Sequence, residues 1–435
     1  MTRKVLILIE GTRSNGPLYA KAAQRLGLHP ITLSANPARY DYLAAEGIEA
    51  ICVDTDNLDA LIRECSQLRA TYDIAAITSA LESVYATAGK LARYFNLPGP
   101  NPTSIARCCD KFIQRQLLAD AGVPIPAYRL AANATEVESA AAEIGLPVIL
   151  KPAVGSSSSG VRLCHNVDEL AEHSTYLLSR KHMWPSSPKQ VWRSSPKILV
   201  EEFAEGPHYI ADIMGNEVIG ITAADFDCPP HFVFRALTFP APLTDDEQDR
   251  IADVSLGCLQ ALGLGWGPTC IEFRWTKRGP VVIEVNPRLA GTDPQLVQLA
   301  YGVDLITEHI KLVMGGEWSF RRRRSHTAAA RFLIPERDGT LDWVDGDTRA
   351  AAVSGVAEVK LYVEPKTLIA RKGDDRDFLG SVIATSPSRA QTATILQHAV
   401  DLISWSITPF PTFCEQEKSP APYFPKPAKV APGKM

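Results

Sequence analysis

The chain has 435 residues, 46% hydrophobic and 22% charged, enough for two or three domains with sizeable cores. Its formal net charge of -4 lacks the basic excess of a polyanion binder, which sets nucleic acid aside as a main partner. The nine cysteines are scattered and contain no C-x-x-C pair, so a reducing, cytoplasmic location is expected rather than a disulfide framework or a zinc site.

The opening MTRKVLILIEG holds an apolar run of five residues before Glu10, too short for a signal core or a membrane span. It reads as a buried first strand. Up to residue 105 strands at 5–9, 30–34, 50–53 and 74–78 alternate with helices at 16–26 and 57–69, which predicts a parallel α/β layer. The first turn, EGTRSNG, lacks G-x-G-x-x-G and reads as structure. Glu82 begins a helix after a strand end, where open α/β sheets place ligands. A first-turn acid that complements the helix dipole is an equal reading. Leu97-Pro98-Gly99-Pro100 then breaks the chain.

Asp110-Lys111 opens an amphipathic helix stopped by Gly122 and Pro124. In LPVILKPAVGSSSSGV, Lys151 ends an apolar strand and is followed by a loop of glycines and serines. Backbone N–H groups and hydroxyls of Gly155, Ser156, Ser157 and Ser158 can wrap phosphates while the lysine supplies point charge. A flexible linker is the weaker reading, since a strand resumes at 161–164. The segment RKHMWPSSPKQVWRSSPK, within 178–197, is basic and proline-rich and reads as a mobile insertion.

In GPTCIEFRWTKRGPVVIEVNPRLAG two β-prone runs, 269–275 and 281–285, flank Lys277-Arg278-Gly279 and predict a hairpin. Glu272 and Glu284 can then face one side, with Asn286 and Arg288 continuing that side at period two. Two buried carboxylates and an amide oxygen need a cation, and this hardness suits Mg²⁺ completed by water and nucleotide phosphate. Arg288 can grip a carboxylate or acyl phosphate with its planar fork, a structural salt bridge being the alternative. Beyond Pro294 a helix is expected to end near Gly315-Gly316, and the arginines at 321–324 read as a solvated face. Residues 326–412 read mostly as strands, with a last helix at 389–404, and the Pro/Lys-rich end from Glu415 as disordered.

The E…E-x-N-x-R pattern resembles the magnesium end of the ATP-grasp superfamily, which contains biotin carboxylase, D-alanine ligases and L-amino acid ligases. Asp110-Lys111 with its helix and GVPIP resembles the family's entry segment, which implies a phosphate contact for Lys111 beside Lys151. KILVEEF resembles the adenine-binding stretch and implies Glu201, Glu202 and Phe203; His208 stands where the family often has a glutamate. HFVFRALTFPAPLT is similar to the amino acid ligase segment H-F-V-E-x-G-H-x-F-P, whose Glu and His line the acceptor pocket. Here Phe234 and Leu237 hold those places, which implies a more apolar pocket and a hydrophobic or modified substrate. Arg235 either replaces part of the lost charge or is a solvated strand residue. The N-P-R-x-x-G turn implies substrate contacts from Arg288 and Gly291, and GDDRDFLGSVIATSPSRAQTA resembles the small closing domain of carboxylate-amine ligases.

The resemblance implies an α/β (α+β) ATP-grasp fold. Its parts are a Rossmann-like domain at 1–105, the ATP-grasp domain at 106–320 with a lid at about 145–205, a small β-rich domain at 321–412 and a tail from 413. The implied activity is an ADP-forming carboxylate-amine ligase that forms an amide or peptide bond through an acyl phosphate. ATP and Mg²⁺, with Mn²⁺ as substitute, are its cofactors; small carboxylates and amines are its partners, without nucleic acid or membrane, and a homodimer is compatible. A bicarbonate-activating carboxylase and a nucleotide-binding regulator without turnover are the alternatives.

Overall fold

The computed structural model describes residues 2–179 and 197–411; the insertion expected at 178–197 and the tail from 413 fall almost wholly outside them. Strands β1 (Arg3–Ile9), β2 (His29–Ser34), β3 (Glu49–Cys52) and β4 (Tyr72–Thr78) form a parallel sheet in the order β3-β2-β1-β4. Its connecting helices are α1 (Asn15–Arg25), the short α2 (Asp41–Ala45), α3 (Leu58–Leu68) and α4 (Glu82–Tyr94). Alternation sends Val5, Ile7 and Ile9 into a core with Leu61, Cys65, Val84 and Ala88. Leu6 and Leu8 join Tyr19, Ala22 and Ala23 on the other face. A strand buried on both faces has no polar side to show, which is why β1 reads as a continuous apolar run. Each such aliphatic side chain contributes about 1.5–3 kcal/mol on burial.

Helices α5 (Pro102–Cys108) and α6 (Lys111–Asp120) follow, capped by the side chains of Asn101 and Asp110. A second sheet of β5 (Tyr128–Ala131), β6 (Val148–Pro152), β7 (Arg162–Cys164) and β8 (Ile198–Glu202) runs in the order β5-β8-β6-β7. It shares a core with α7 (Ala134–Ile144) and α8 (Val167–Leu178).

The remaining strands are β9 (His208–Met214), β10 (Glu217–Phe226), β11 (Phe234–Phe239), β12 (Pro268–Thr276), β13 (Gly279–Asn286), β14 (Thr327–Leu333), β15 (Gly339–Asp345), β16 (Val356–Leu361), β17 (Leu368–Ile369), β18 (Gly380–Ser386) and β19 (Ser404–Thr408). Eight of them build one sheet, β13-β12-β9-β10-β11-β14-β18-β16, so strands from the 321–412 segment extend the sheet that carries the acidic hairpin. The other three, β17-β15-β19, make a small separate sheet. Helix α9 (Asp245–Leu262) covers one face of the hairpin through Ile251, Cys258 and Leu259, against Ile271, Phe273, Val282 and Val285. Period two therefore turns Cys270 and Glu272 to the opposite face.

Two expectations need correction. The helix after Pro294 is two helices, α10 (Asp293–Tyr301) and α11 (Leu305–Val313). Gly302 ends the first in the left-handed region at φ 73°, and the Asp304 side chain accepts the Thr307 N–H to start the second. After α12 (Asp347–Ala351), the last helix, α13 (Arg389–Asp401), stops short of 404, because residues 404–408 pair with β15 instead.

Gly220 on β10 lets the Phe239 ring lie against the backbone, for a Cβ there would meet Phe239 Cε2 at 2.5 Å. Phe239 is fully buried and edge-on to Tyr301 at 4.8 Å. Phe239→Ala should cost about 3–5 kcal/mol in urea unfolding. Gly220→Ala should also destabilise, by overpacking against the ring.

Candidate active site

The hairpin register sets Glu272 directly opposite Glu284 and Cys270 opposite Asn286. Like charges in this cross-strand relation repel. The structure answers with cations from other elements. Lys111 Nζ lies 2.6 Å from Glu284 Oε1 and donates to the Gly155 carbonyl at 2.6 Å. Burial opposes the charge of Lys111, yet Glu284 and the other acids raise its pKa above the ordinary lysine value. Glu284 is likewise disfavoured by burial, but Lys111 and Lys151 hold its pKa below the usual carboxylate range.

A second buried knot lies alongside. Lys151 Nζ is 2.5 Å from Glu201 Oε2, and Arg115 Nε donates to Glu201 Oε1 at 2.7 Å. Arg115 also donates to the Ile283 carbonyl of β13, tying α6, β8 and the hairpin together. Burial is the largest influence on both partners of the Lys151–Glu201 pair: it lowers the lysine pKa, whereas Arg115 and Lys151 overcome it at Glu201 and lower that pKa too. Both Glu201 oxygens are therefore engaged by cations. Glu202 accepts from Arg278 at 2.8 Å and from the Ala127 N–H at 3.1 Å. Phe203 lies beside Phe232 at 6.4 Å.

After Lys151 the loop turns sharply: Ser157 and Ser158 both have φ 58° and Gly160 has φ 75°. Left-handed backbone at two serines in a row is unfavourable by roughly 1–2 kcal/mol per residue. Such conformations cluster where backbone N–H groups must be aimed, as in an anion-binding loop.

Arg288 follows the hairpin. Its Nε donates to Glu82 Oε2 at 3.1 Å, Nη1 to the Leu289 carbonyl at 3.2 Å and Nη2 to Asn286 Oδ1 at 3.4 Å. Glu82, at the first turn of α4, has its pKa raised by burial despite Arg288. Gly291 borders open space. The structure thus gathers Glu82, Lys111, Lys151, Gly155, Glu272, Glu284, Asn286 and Arg288 around one face of the hairpin.

The 231–243 segment divides. A bulge between Asp225 and Phe226 lets Phe234 pair with Phe226 and Leu237 with Ala224. Phe234 stacks on Phe226 at 4.8 Å and approaches the His208 ring at 6.1 Å. Leu237 is sealed in the main hydrophobic core and Arg235 is exposed. His208 Nε2 lies 3.3 Å from Glu272 Oε2, and burial lowers the histidine pKa, so its ring is neutral at pH 7 and adds no positive charge there.

Among the described residues no group of three or more His, Cys, Asp or Glu forms a metal cluster. The hairpin's donor set still fits Mg²⁺, which takes one or two protein carboxylates and completes its shell with water and phosphate. Glu272, Glu284 and Asn286 supply oxygens only, and two facing carboxylates favour a divalent cation between them.

Arg115 was missed from the sequence, although its i,i+4 spacing from Lys111 puts both cations on one helix face. Also missed was Arg376, which donates to Ser159 Oγ of the loop at 3.4 Å while held by Asp374. No local signal marks that contact, which spans 217 positions.

Comparison with known proteins adds to this geometry. The ATP-grasp domain profile matches residues 144–294, and that of L-amino acid ligase C-terminal domain 2 matches residues 331–408. The chain is 62% identical to uncharacterized protein y4rH of Sinorhizobium fredii (strain NBRC 101917 / NGR234), over 97% of this chain and 87% of that protein. It is 25% identical to biotin carboxylase 2, chloroplastic, of Populus trichocarpa, over 95% of this chain and 75% of that protein. In fold it is similar to the L-amino acid ligase from Bacillus licheniformis, with a TM-score of 0.75 and 19% identity over 94% of this chain and 100% of that one.

Removing Arg115 leaves a buried carboxylate with one cation in place of two, so Arg115→Leu should lower stability by about 3–5 kcal/mol in urea unfolding. Glu201 and Glu284 have pKa values below those of the unfolded chain. Their stabilisation is complete above the unfolded glutamate pKa of about 4.3 and is lost as pH falls through the lower folded values. The urea midpoint should therefore drop below about pH 4, and Glu201→Gln should flatten that drop.

Proposed function

The chain belongs to the ATP-grasp superfamily, whose ligases use ATP and Mg²⁺ and release ADP, and we propose that it joins an amino acid or related small carboxylate to an amine through an acyl phosphate. The observation that carries this reading is the adjacency of a metal-type carboxylate pair, Glu272 and Glu284, to the Arg288–Glu82 pair at the end of the same hairpin. One half of that face suits nucleotide phosphates. The other suits a substrate that bears a carboxylate and an amine.

In this reading Arg288 orients the substrate carboxylate toward the γ-phosphate, and Lys111 and Lys151 offset charge on the phosphates. Glu272, Glu284 and Asn286 would hold Mg²⁺, which would supply neutralisation of charge on the phosphate oxygens. The carboxylate oxygen displaces ADP to give the acyl phosphate. The amine then attacks the acyl carbon, phosphate leaves, and Arg288 with backbone N–H groups stabilises the tetrahedral oxyanion. Glu82 pairs with the substrate ammonium, and its raised pKa suits it to receive a proton from the amine. The serine loop excludes the water that would hydrolyse the intermediate.

Glu201, locked between Arg115 and Lys151, positions that lysine rather than reading adenine through its carboxylate; backbone groups around Glu202 and Phe203 are left for the base. No described helix is long and apolar enough to cross a membrane. ATP use and the free cysteines fit a cytoplasmic setting.

Phosphate and ADP release, assayed over amino acids and other small carboxylates with product mass as a second readout, tests the reading. Glu272→Gln is the cleaner metal-site variant, because Glu284→Gln would also leave Lys111 without its counter-ion. It should reduce phosphate release about 100-fold or more while leaving the fold intact, a scale set by loss of one preorganised electrostatic group. EDTA should abolish release and added Mg²⁺ restore it. Unchanged release in Glu272→Gln would remove this residue from the metal site.

A further inference from the structure

The stretch GDDRDF at 373–378 forms a turn of the C-terminal segment, and the reaction above leaves its charges unused. The turn is braced from within and from outside. Asp377 accepts the N–H groups of Lys372 at 2.6 Å and Gly373 at 2.8 Å, and fully buried Asp374 accepts the Arg376 N–H at 3.1 Å. Gly373, at φ 75°, lets the turn press on the 227–232 loop, since a Cβ there would meet His231 Nδ1 at 2.4 Å. Phe378 stacks on Phe332 of β14 at 4.4 Å, which fastens the turn to the eight-stranded sheet that carries Glu272 and Glu284.

This base aims one side chain. Arg376 Nε donates to Asp374 Oδ1 at 2.8 Å and Nη2 donates to Oδ2, so the fork is fixed by a bidentate pair. The same Nη2 donates to Ser159 Oγ at 3.4 Å. Ser159 is buried, and two residues before it the Ser157 hydroxyl donates to Asp375. The ends of the serine loop are tied elsewhere, by Lys111 at the Gly155 carbonyl and by His173 Nε2, 2.8 Å from the Gly160 carbonyl. Between those ends, Ser157 and Ser158 have left-handed backbone, and the C-terminal turn grips the loop there. An unfavourable backbone of this kind persists only where surrounding contacts hold it.

We propose that Arg376 is a positioning residue of the ligase: from the C-terminal segment it holds the serine loop closed, so that the acyl phosphate meets the amine before it meets water. This role rests on the ligase reading above. Water adding to the acyl carbon would expel phosphate and return the free carboxylate, consuming ATP without forming an amide. Because the turn is anchored to the sheet of the acidic hairpin, closure of the loop is tied to the element that carries the carboxylate pair.

Hydrogen exchange at residues 155–160 of the full-length protein with Mg-ADP reads the contact without turnover. Arg376→Gln should speed exchange there about three- to tenfold, on the scale of one hydrogen bond to a charged group, while β1 and the hairpin exchange as in wild type. Ser159→Ala leaves the Arg376–Asp374 pair intact and should have the same effect. The double variant should be no faster than either single one, since both remove one contact. Arg376→Lys should recover part of the protection. With ATP, carboxylate and amine present, Arg376→Gln and Ser159→Ala should raise the phosphate released per amide formed, a ratio that loss of stability alone does not move. Unchanged loop exchange in both single variants, or additive effects in the double one, would overturn the assignment. An unchanged phosphate-to-amide ratio in variants whose loop exchanges faster would also overturn it. Faster loop exchange in the variants, with no phosphate release from any carboxylate in wild type, would keep Arg376 as the clasp of the loop and remove the ligase reading. Amide formation in wild type with neither exchange nor ratio altered in the variants would do the reverse.

Discussion

Two glutamates facing each other across a buried hairpin are the constraint from which the rest of the site follows. Glu272 and Glu284 sit in register on neighbouring strands, and such a pair repels wherever water is excluded. The fold makes it tolerable by importing positive charge from distant chain segments. Lys111 arrives on α6, Lys151 at the end of β6, and Arg288 from the turn after β13. In the proposed ligase a divalent cation would relieve the two carboxylates, and nucleotide phosphates would compete for the lysines. The internal ion pairs therefore preorganise the lysines at the cost of giving each an alternative partner.

That exchange also couples pieces of structure that share no sheet. Lys111 joins the acidic hairpin to the serine loop through the Gly155 carbonyl. Arg115 joins β8 to β13, through Glu201 and the Ile283 carbonyl. From the other side the 371–378 segment reaches the loop: Arg376 touches Ser159, and Asp375, whose pKa burial raises to about 6, bonds with Ser157. The serine loop is thus contacted by elements on both sides. Its two left-handed serines are held by this surrounding framework rather than by local preference.

The side of the hairpin face toward His208 and Arg288 is arranged differently. The aromatic group of Phe226, Phe232 and Phe234 is capped by the Arg274 guanidinium, 5.0 Å from the Phe226 ring and 5.8 Å from the Phe232 ring. It forms an apolar, cation-covered wall next to His208. Across the hairpin, α1, α4 and α11 bring neutral polar groups to Arg288. The parallel sheet matters here because its strand ends and the first turn of α4 deliver Ser79 and Glu82 to the same place.

How much of this was legible in the chain depends on the range of the interaction involved. Apolar, β-prone runs marked the strands of the first sheet and the hairpin, since burial leaves a direct trace in residue order, and period two set which hairpin residues share a face. The same periodicity placed Glu272, Glu284 and Asn286 together, because a tight turn makes their proximity a local matter. Lys151 and its serine loop were legible for a similar reason, being contiguous. Contacts between remote segments left no comparable trace: the clamp of Arg115 on Glu201, Arg376 on Ser159, and His309 between Tyr19 and Tyr85 span separations of 86, 217 and more than 200 positions. Helix ends were blurred where tertiary pairing overrode propensity, as at residues 404–408, which entered a sheet instead of extending a helix. Sequence alone determined the chemistry of the hairpin, since neighbouring residues on a strand have little freedom in how they face. Only the tertiary structure decided which cations answer its acids and which polar groups surround Arg288, because those choices depend on how separately folded layers come to rest against one another.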